Sequence, residues 1–106
     1  MRKFTFYWLW LLALLSTANF YGQNAIETLS PNPASSILSV DYKINEGNSA
    51  YLMITGINVS NVSNNYIIDI NQDNTTIDVS NYPTGVYVIN LITDGNISDS
   101  KYLIKQ

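Results

Sequence analysis

The architecture of this chain follows from one run of residues, Tyr82-Pro83-Thr84-Gly85-Val86-Tyr87-Val88-Ile89-Asn90-Leu91-Ile92. Pro83 fixes the backbone at the second position of a β-turn, and Gly85 suits the fourth position of that turn. After the turn, both alternating sets of side chains begin apolar. This pattern predicts a strand in the middle of a sheet, with a neighbouring strand on each edge and a layer on each face.

The residues on either side of this run carry strand patterns separated by turn signals. Asp94-Gly95 favours a two-residue hairpin turn with two positive φ angles, after which residues 97–105 return as the last strand. Earlier in the chain, Leu38, Val40 and Tyr42 alternate with polar residues, as expected of a half-buried strand. Further strands are predicted at residues 50–55, 66–70 and 76–80, with a loop at residues 61–65.

The whole pattern is that of an all-β protein. About seven short strands are separated by turn signals, and no segment beyond the first residues keeps a helical period. An antiparallel β-sandwich is therefore the predicted fold. With 106 residues, the chain has room for one domain at most.

Composition excludes several classes of function. The formal net charge of −3 and the charged fraction of 12% provide no basic surface for nucleic acid or anionic lipid. The chain has no Cys and no His, so it lacks a thiolate, the commonest general base and the commonest metal ligand. We expect no enzymatic activity, no cofactor and no small-molecule substrate.

The first residues have the pattern of a helical signal peptide. Met1-Arg2-Lys3 is positively charged, and residues 4–15 form an apolar run that is short for a permanent bilayer span. Ser16-Thr17-Ala18 offers one cleavage site and Gly22 a second. The expected partners are the Sec translocon and signal peptidase, which would deliver the chain to the periplasm. An uncleaved N-terminal anchor is the alternative.

The predicted domain organisation has three parts. Residues 1–22 are the signal peptide, residues 23–29 are a short polar lead-in, and residues 30–106 are the β-domain. The domain opens on Ser30-Pro31-Asn32-Pro33-Ala34. Neither proline can donate to a β-ladder, so this segment is expected to be extended or turned at a sheet edge.

Two other patterns in the sequence resemble ligand sites. Asp69, Asn71 and Asp73 have the spacing of a calcium loop, but Ser80 occupies the place of its bidentate Glu, so no metal site is predicted. Tyrosines on separate strands would form either an exposed binding row or part of a small core with their hydroxyls at the rim, and the second arrangement is the commoner. These tyrosines are Tyr42, Tyr51, Tyr66, Tyr87 and Tyr102.

Three motifs follow one another in order: Pro31-Asn32-Pro33-Ala34, Tyr82-Pro83-Thr84-Gly85-Val86-Tyr87-Val88 and Lys101-Tyr102-Leu103-Ile104-Lys105-Gln106. Together they resemble the C-terminal sorting domain of the type IX secretion system of Bacteroidetes, in its cleaved form, type A. The resemblance covers residues 29–106. One departure lies at residues 52–57, where the corresponding family strand is longer and is followed by a charged residue.

The resemblance implies an immunoglobulin-like sandwich that is recognised by the outer-membrane translocation machinery. It further implies that a sortase-like cysteine protease removes the domain, and that the cargo is released or attached to surface lipopolysaccharide. The expected location is therefore secreted or at the cell surface. The residues that match the family motifs are Pro31, Asn32, Pro33, Gly85, Tyr87, Lys101 and Lys105.

A large cargo normally precedes such a domain, whereas only a few residues separate it from the signal peptide here. The chain is expected to be a fragment of a longer gene product, a degenerate copy or a small passenger in its own right. The alternative function is a stand-alone immunoglobulin-like module for binding or adhesion at the cell surface.

Overall fold

A computed structural model describes residues 23–106, and the predicted signal peptide with its two candidate cleavage sites lies outside the described residues. The described part contains seven β-strands and no helix that could cross a membrane. The strands are β1 (Ala25–Ser30), β2 (Ile37–Lys43), β3 (Ala50–Gly56), β4 (Ser63–Ile68), β5 (Asn74–Asp78), β6 (Gly85–Thr93) and β7 (Asn96–Lys105).

The strands form two antiparallel sheets, which confirms the predicted all-β architecture. One sheet has the order β1-β2-β5, and the other has the order β4-β3-β6-β7. The chain passes from one sheet to the other after β2, β4 and β5. The core lies between the sheets and is built from alternate residues of each strand, as period-two side-chain alternation requires. Its largest fully buried side chains are Ile26, Leu38, Val40, Tyr42, Leu52, Ile54, Val79, Tyr87, Ile89, Leu91 and Leu103.

β6 is the central strand that the sequence predicts. It pairs with β3 on one edge and with β7 on the other. Tyr87, Ile89 and Leu91 are fully buried between the sheets, whereas Val86 and Val88 on the opposite face are half-buried. The expectation of a layer on each face is therefore wrong for the described residues, since only one face of β6 is covered by the second sheet.

The hairpin between β6 and β7 has the predicted turn. Asp94 and Gly95 have φ angles of 49° and 85°, as a two-residue turn with two positive φ angles requires. The Asp94 carboxylate also accepts hydrogen bonds from the backbone N–H groups of Asn48 at 2.9 Å and Ser49 at 3.1 Å. One side chain thus fastens the β2–β3 turn to the β6–β7 turn.

Two segments predicted to be irregular are strands. The polar lead-in contains β1, in which Ile26 is buried opposite Tyr42. The loop predicted at residues 61–65 is wrong in its second half, because β4 begins at Ser63 and pairs with β3 without a register shift. Both segments are edge strands rich in polar residues, and pairing with an apolar neighbour overrides their weak intrinsic preference for β structure.

Candidate functional site

The three sequence motifs meet at one corner of the sandwich, where the C-terminal half of β7 lies between β6 and the segment that follows β1. We define the motif corner as Asn32, Ala34, Gly85, Tyr87 and Lys105. Gly85 lies opposite Lys105 in the β6–β7 ladder, and Tyr87 lies opposite Leu103. On the other edge of β7, Ala34 forms an isolated parallel bridge with Lys105. Residues more than 70 positions apart in sequence are therefore neighbours.

Asn32 closes the outer edge of β7 with its side chain. Its Nδ2 donates to the carbonyl oxygen of Tyr102 at 3.0 Å, and its Oδ1 accepts from the backbone N–H of Ile104 at 2.9 Å. The side-chain amide thereby makes the donor and acceptor contacts that the backbone of a neighbouring strand would make. An edge that would otherwise present unpaired backbone groups to another chain is satisfied from within the domain.

The backbone of Ala34 bonds to the same edge of β7, next to the contacts of Asn32. Ala34 N–H donates to the Ile104 carbonyl at 2.8 Å, and Gln106 N–H donates to the Ala34 carbonyl at 2.9 Å. The Ala34 side chain is fully buried and anchors the segment in the core. Pro31 and Pro33 flank Asn32, are exposed and follow cis peptide bonds.

Gly85 occupies a position at which no side chain fits. A Cβ added there would lie 2.4 Å from Val59 Cγ2 and 2.7 Å from Asn58 Oδ1. The same Asn58 Oδ1 accepts a hydrogen bond from the backbone N–H of Val86 at 2.8 Å. The loop after β3 therefore packs directly on the start of β6, and glycine makes that close approach possible.

Tyr87 is a buried residue of the same motif corner. It is fully buried, and its hydroxyl donates to the carbonyl oxygen of Pro83, four residues earlier. The Tyr82 ring packs against it with centroids 5.3 Å apart and planes tilted by 58°. Burial, together with the nearby Tyr82 hydroxyl, raises the pKa of Tyr87 above its ordinary value. Tyr87 thus ties the turn that the sequence predicts at Pro83 to the strand that follows.

The two lysines of the terminal motif have different surroundings. Lys105 is buried, and its Nζ donates to the main-chain oxygen of Gln106 at 2.7 Å. Lys101 is half-buried and lines a shallow groove between β1 and β7, together with Glu27, Asn32 and Tyr102. Of these two lysines, only Lys101 is partly exposed.

The residues with calcium-loop spacing make local hydrogen bonds instead. Asp69 Oδ1 accepts from Asn71 N–H at 2.8 Å, and Ser80, at the place of the bidentate Glu, donates from its backbone N–H and its hydroxyl to Asp78 Oδ1. These contacts are those of Asx turns. Within residues 23–106 no three acidic, His or Cys side chains lie close enough to hold a metal ion.

The tyrosines do not form one exposed row. Tyr42 and Tyr87 are buried core residues, whereas Tyr102 is 68% exposed. The Tyr42 hydroxyl donates to the Asp69 carbonyl at 2.7 Å, so it sits at the rim of the core with its hydrogen bond satisfied. The interpretation of buried tyrosines as core residues is therefore correct for Tyr42 and Tyr87.

Two residues that support the packing of these motifs, Ala34 and Asn58, are not among the predicted site residues. Ala34 gave a weak signal, because it is an isolated small apolar residue within a polar, proline-containing segment. Asn58 gave none, since its role depends on a contact with residue 86, which no local pattern encodes. In contrast, the residues matched to the family motifs lie on β6, on β7 and on the segment that follows β1, and these three parts build the motif corner.

Comparison with known families identifies the chain's relationship. The family model described as secretion system C-terminal sorting domain matches residues 28–106. The matched range contains the end of β1, all later strands and all seven motif residues. None of the curated proteins matches the chain.

Proposed function

The chain belongs to the family of type IX secretion C-terminal sorting domains, and from this premise we propose that it directs export across the outer membrane. In this role the domain is a non-catalytic recognition element for the outer-membrane translocation machinery. A sortase-like protease then removes it, and the passenger is released or attached at the cell surface. A Sec-dependent leader over residues 1–22 supplies the first step, with periplasmic delivery.

One observation carries this proposal: the three family motifs are brought together in space. Asn32 bonds to β7 on one edge, and Gly85 and Tyr87 pair with β7 on the other. If the motif residues served separate active-site or surface positions, they would not all lie against one strand. Convergence of this kind supports a folded signal in which Asn32, Gly85 and Tyr87 maintain the shape and Lys101 provides an accessible charge.

We propose an immunoglobulin-like topology for the sandwich. The sheet orders β1-β2-β5 and β4-β3-β6-β7 have the Greek-key connectivity of such folds. Tyr87, near the start of β6, bonds back to the Pro83 carbonyl in the manner of a tyrosine corner. The lead-in belongs to the same unit, because Asn24 donates to the Thr93 hydroxyl at 3.2 Å and β1 completes the smaller sheet.

The proposal is tested by fusing residues 24–106 behind a Sec signal and a fluorescent protein in a host that has a type IX system. We expect the fluorescence outside the cells or on their surface. A matched fusion that lacks residues 24–106 should stay in the periplasm. Periplasmic retention of both fusions would disprove the sorting role.

The alternative, a stand-alone surface module, is favoured by the exposed apolar side chains of the larger sheet, among them Ile67 and Tyr102. A module of this kind would persist intact outside the cell, whereas a sorting domain would be cut from its passenger. Immunodetection of the domain in culture supernatant distinguishes the two functions. Recovery of the intact, undegraded domain outside the cell would favour the module.

A further inference from the structure

The larger sheet has a face that points away from the core and carries no charged side chain. Because successive residues of a strand alternate between the two faces, this face is opposite the buried Leu52, Ile68, Ile89 and Leu103. It consists of the odd-numbered residues of β3 and β4, the even-numbered residues of β6, and, in β7, Ile97 and the even-numbered residues from 100 onward. We call this surface the outer face. It contains no Asp, Glu, Lys or Arg.

Most of the large apolar side chains that are exposed within residues 23–106 lie on the outer face. Six such side chains are exposed, and only Ile37 and Ile57 lie elsewhere. Single exposed apolar residues are normal on a protein surface, whereas several on one uncharged face of a small domain indicate contact with another surface. The four on the outer face are Ile67, Ile97, Tyr102 and Ile104, with exposed fractions of 91%, 64%, 68% and 48%.

The size of the outer face predicts a weak association. Its four strands lie about 4.8 Å apart and rise about 3.3 Å per residue, so the face measures roughly 20 Å by 25 Å. A second surface laid flat on it would bury about 500 Å² on each side, and the total of about 1,000 Å² is the lower limit of a specific interface. Another copy of the same face has this size and brings no charge to the contact.

A polar row across the middle of the outer face restricts what can cover it. The registers place Asn65, Met53, Asn90 and Ser100 side by side on the four strands. Asn90 is half-buried, and its Oδ1 accepts a hydrogen bond from the Ser100 hydroxyl at 2.5 Å. Its Nδ2 donates to no group within residues 23–106. Acyl chains or an apolar protein surface would bury this amide without an acceptor, which is unfavourable.

We propose that the outer face binds a second copy of this chain about a twofold axis that runs along the polar row. With this axis, Asn90 meets Asn90 of the second copy, and each Nδ2 finds an acceptor in the free lone pair of the opposite Oδ1. The two sheets then pack face to face with aligned strands, as sheets in sandwiches do.

The same axis brings exposed apolar side chains together. Ile92 and Val88 lie two residues on either side of Asn90, and they pair with Ile97 and Tyr102 of β7. Ile97 of one copy therefore lies over Tyr102 of the other, and the reverse contact is also made. The eight acidic residues of the chain outnumber its five basic ones, so two copies repel each other over much of their surface. The outer face lets them meet without opposing carboxylates.

Sedimentation velocity of the protein purified after expression of the full chain tests the association. We expect monomers at about 20 µM and dimers at about 1 mM, as a small interface implies. Ile97→Lys should weaken the dimer at least about tenfold, because it buries a charge against Tyr102. Ile37→Lys is the matched control, since it makes the same change at an exposed position on the smaller sheet and should dimerise like the parent. Both variants should melt with the parent.

Asn90→Asp tests the position of the axis. The carboxylate keeps an acceptor for the Ser100 hydroxyl, so the fold is retained, but two carboxylates would oppose each other across the axis. We expect this variant also to weaken the dimer at least about tenfold. Asn71→Asp is the control, because it adds the same charge in the exposed turn after β4 and should leave the dimer unchanged.

A parent that stays monomeric at the highest concentration, or equal weakening by Ile97→Lys and Ile37→Lys, would overturn the proposal. Loss of the dimer in Ile97→Lys but not in Asn90→Asp would overturn the position of the axis. A monomeric parent that sediments with phosphatidylcholine vesicles would overturn the proposal in favour of a lipid surface. The measurement needs no secretion system, so its failure would leave the sorting role intact, and failed export would leave the dimer intact.

Discussion

Asn32 shows how a single side chain outside any strand stabilises a sheet edge. It satisfies one carbonyl and one N–H of β7 that are two residues apart. Gly85 lies in β6, on the other edge of β7, and leaves room for Val59 and Asn58. Neither residue carries a reactive group, and both act through geometry.

Asn32→Ala should destabilise the domain by about 1–2 kcal/mol, because two hydrogen bonds of about 0.5–1.5 kcal/mol each are lost and the partners are at the surface. The free energy of unfolding is measured by urea titration. Asn65→Ala is the control, since the Asn65 side chain makes no hydrogen bond within residues 23–106, and it should change stability little. Equal stability of the Asn32→Ala variant and the parent would contradict the role given to Asn32.

Gly85→Ala should destabilise the domain by about 1–3 kcal/mol, the usual cost of forcing an extra group into a packed site. The added methyl would collide with Val59 Cγ2 and Asn58 Oδ1. Gly95→Asn is the matched control, because nothing lies within 4 Å of Gly95 and Asn tolerates its positive φ. Thermal melts that place both variants at the parent temperature would show that the loop after β3 moves aside.

At the scale of the elements, local signals predicted β6, the β6–β7 hairpin and the alternating face of β2, because alternation and an Asp-Gly turn are encoded by adjacent residues. β1 and the start of β4 escaped prediction, because their polar residues become strands only when paired. The site shows the same division. The motif residues were identified by resemblance, but their contacts were not predicted, because the bonds of Asn32 to β7 join residues 70 and 72 positions apart. No local pattern predicts such contacts.

The hydrogen bonds of Asp94, which link the β2–β3 turn to the β6–β7 turn, give a prediction at the scale of the elements. Asp94→Ala should destabilise the domain by about 1–2 kcal/mol, because it loses the bonds to Asn48 and Ser49 and places Ala at a positive φ. Asp94→Asn keeps the Oδ1 acceptor and tolerates that φ, so it should retain most of the stability. Urea titration of both variants provides the measurement, and equal losses would assign the effect to the charge of Asp94 instead.

For the whole molecule, stability should fall as pH rises above about 10. Burial is the largest cause that raises the pKa values of Tyr42, Tyr66 and Tyr87. A tyrosine whose pKa is higher in the folded state stabilises the fold fully below its unfolded value, and that stability is lost as pH rises through the folded value. Urea titrations at pH 8 and pH 11 test this, and Tyr66→Phe should reduce the difference. Equal stability of the parent at both pH values would contradict it.

The domain as a whole is a small sandwich in which one strand, β7, connects every family motif. Its edge is closed by Asn32 and Ala34, its other side pairs with Gly85 and Tyr87, and its Lys101 faces a groove. The outer edge of β4, by contrast, pairs with no other strand of residues 23–106.

The most direct test of the sorting role compares one reporter in two hosts. The fluorescent fusion that carries residues 24–106 is expressed in a strain with a working type IX system and in an otherwise identical strain that lacks its outer-membrane translocon. We predict fluorescence in the medium or on the surface of the first strain and in the periplasm of the second. The same distribution in both strains would contradict the account.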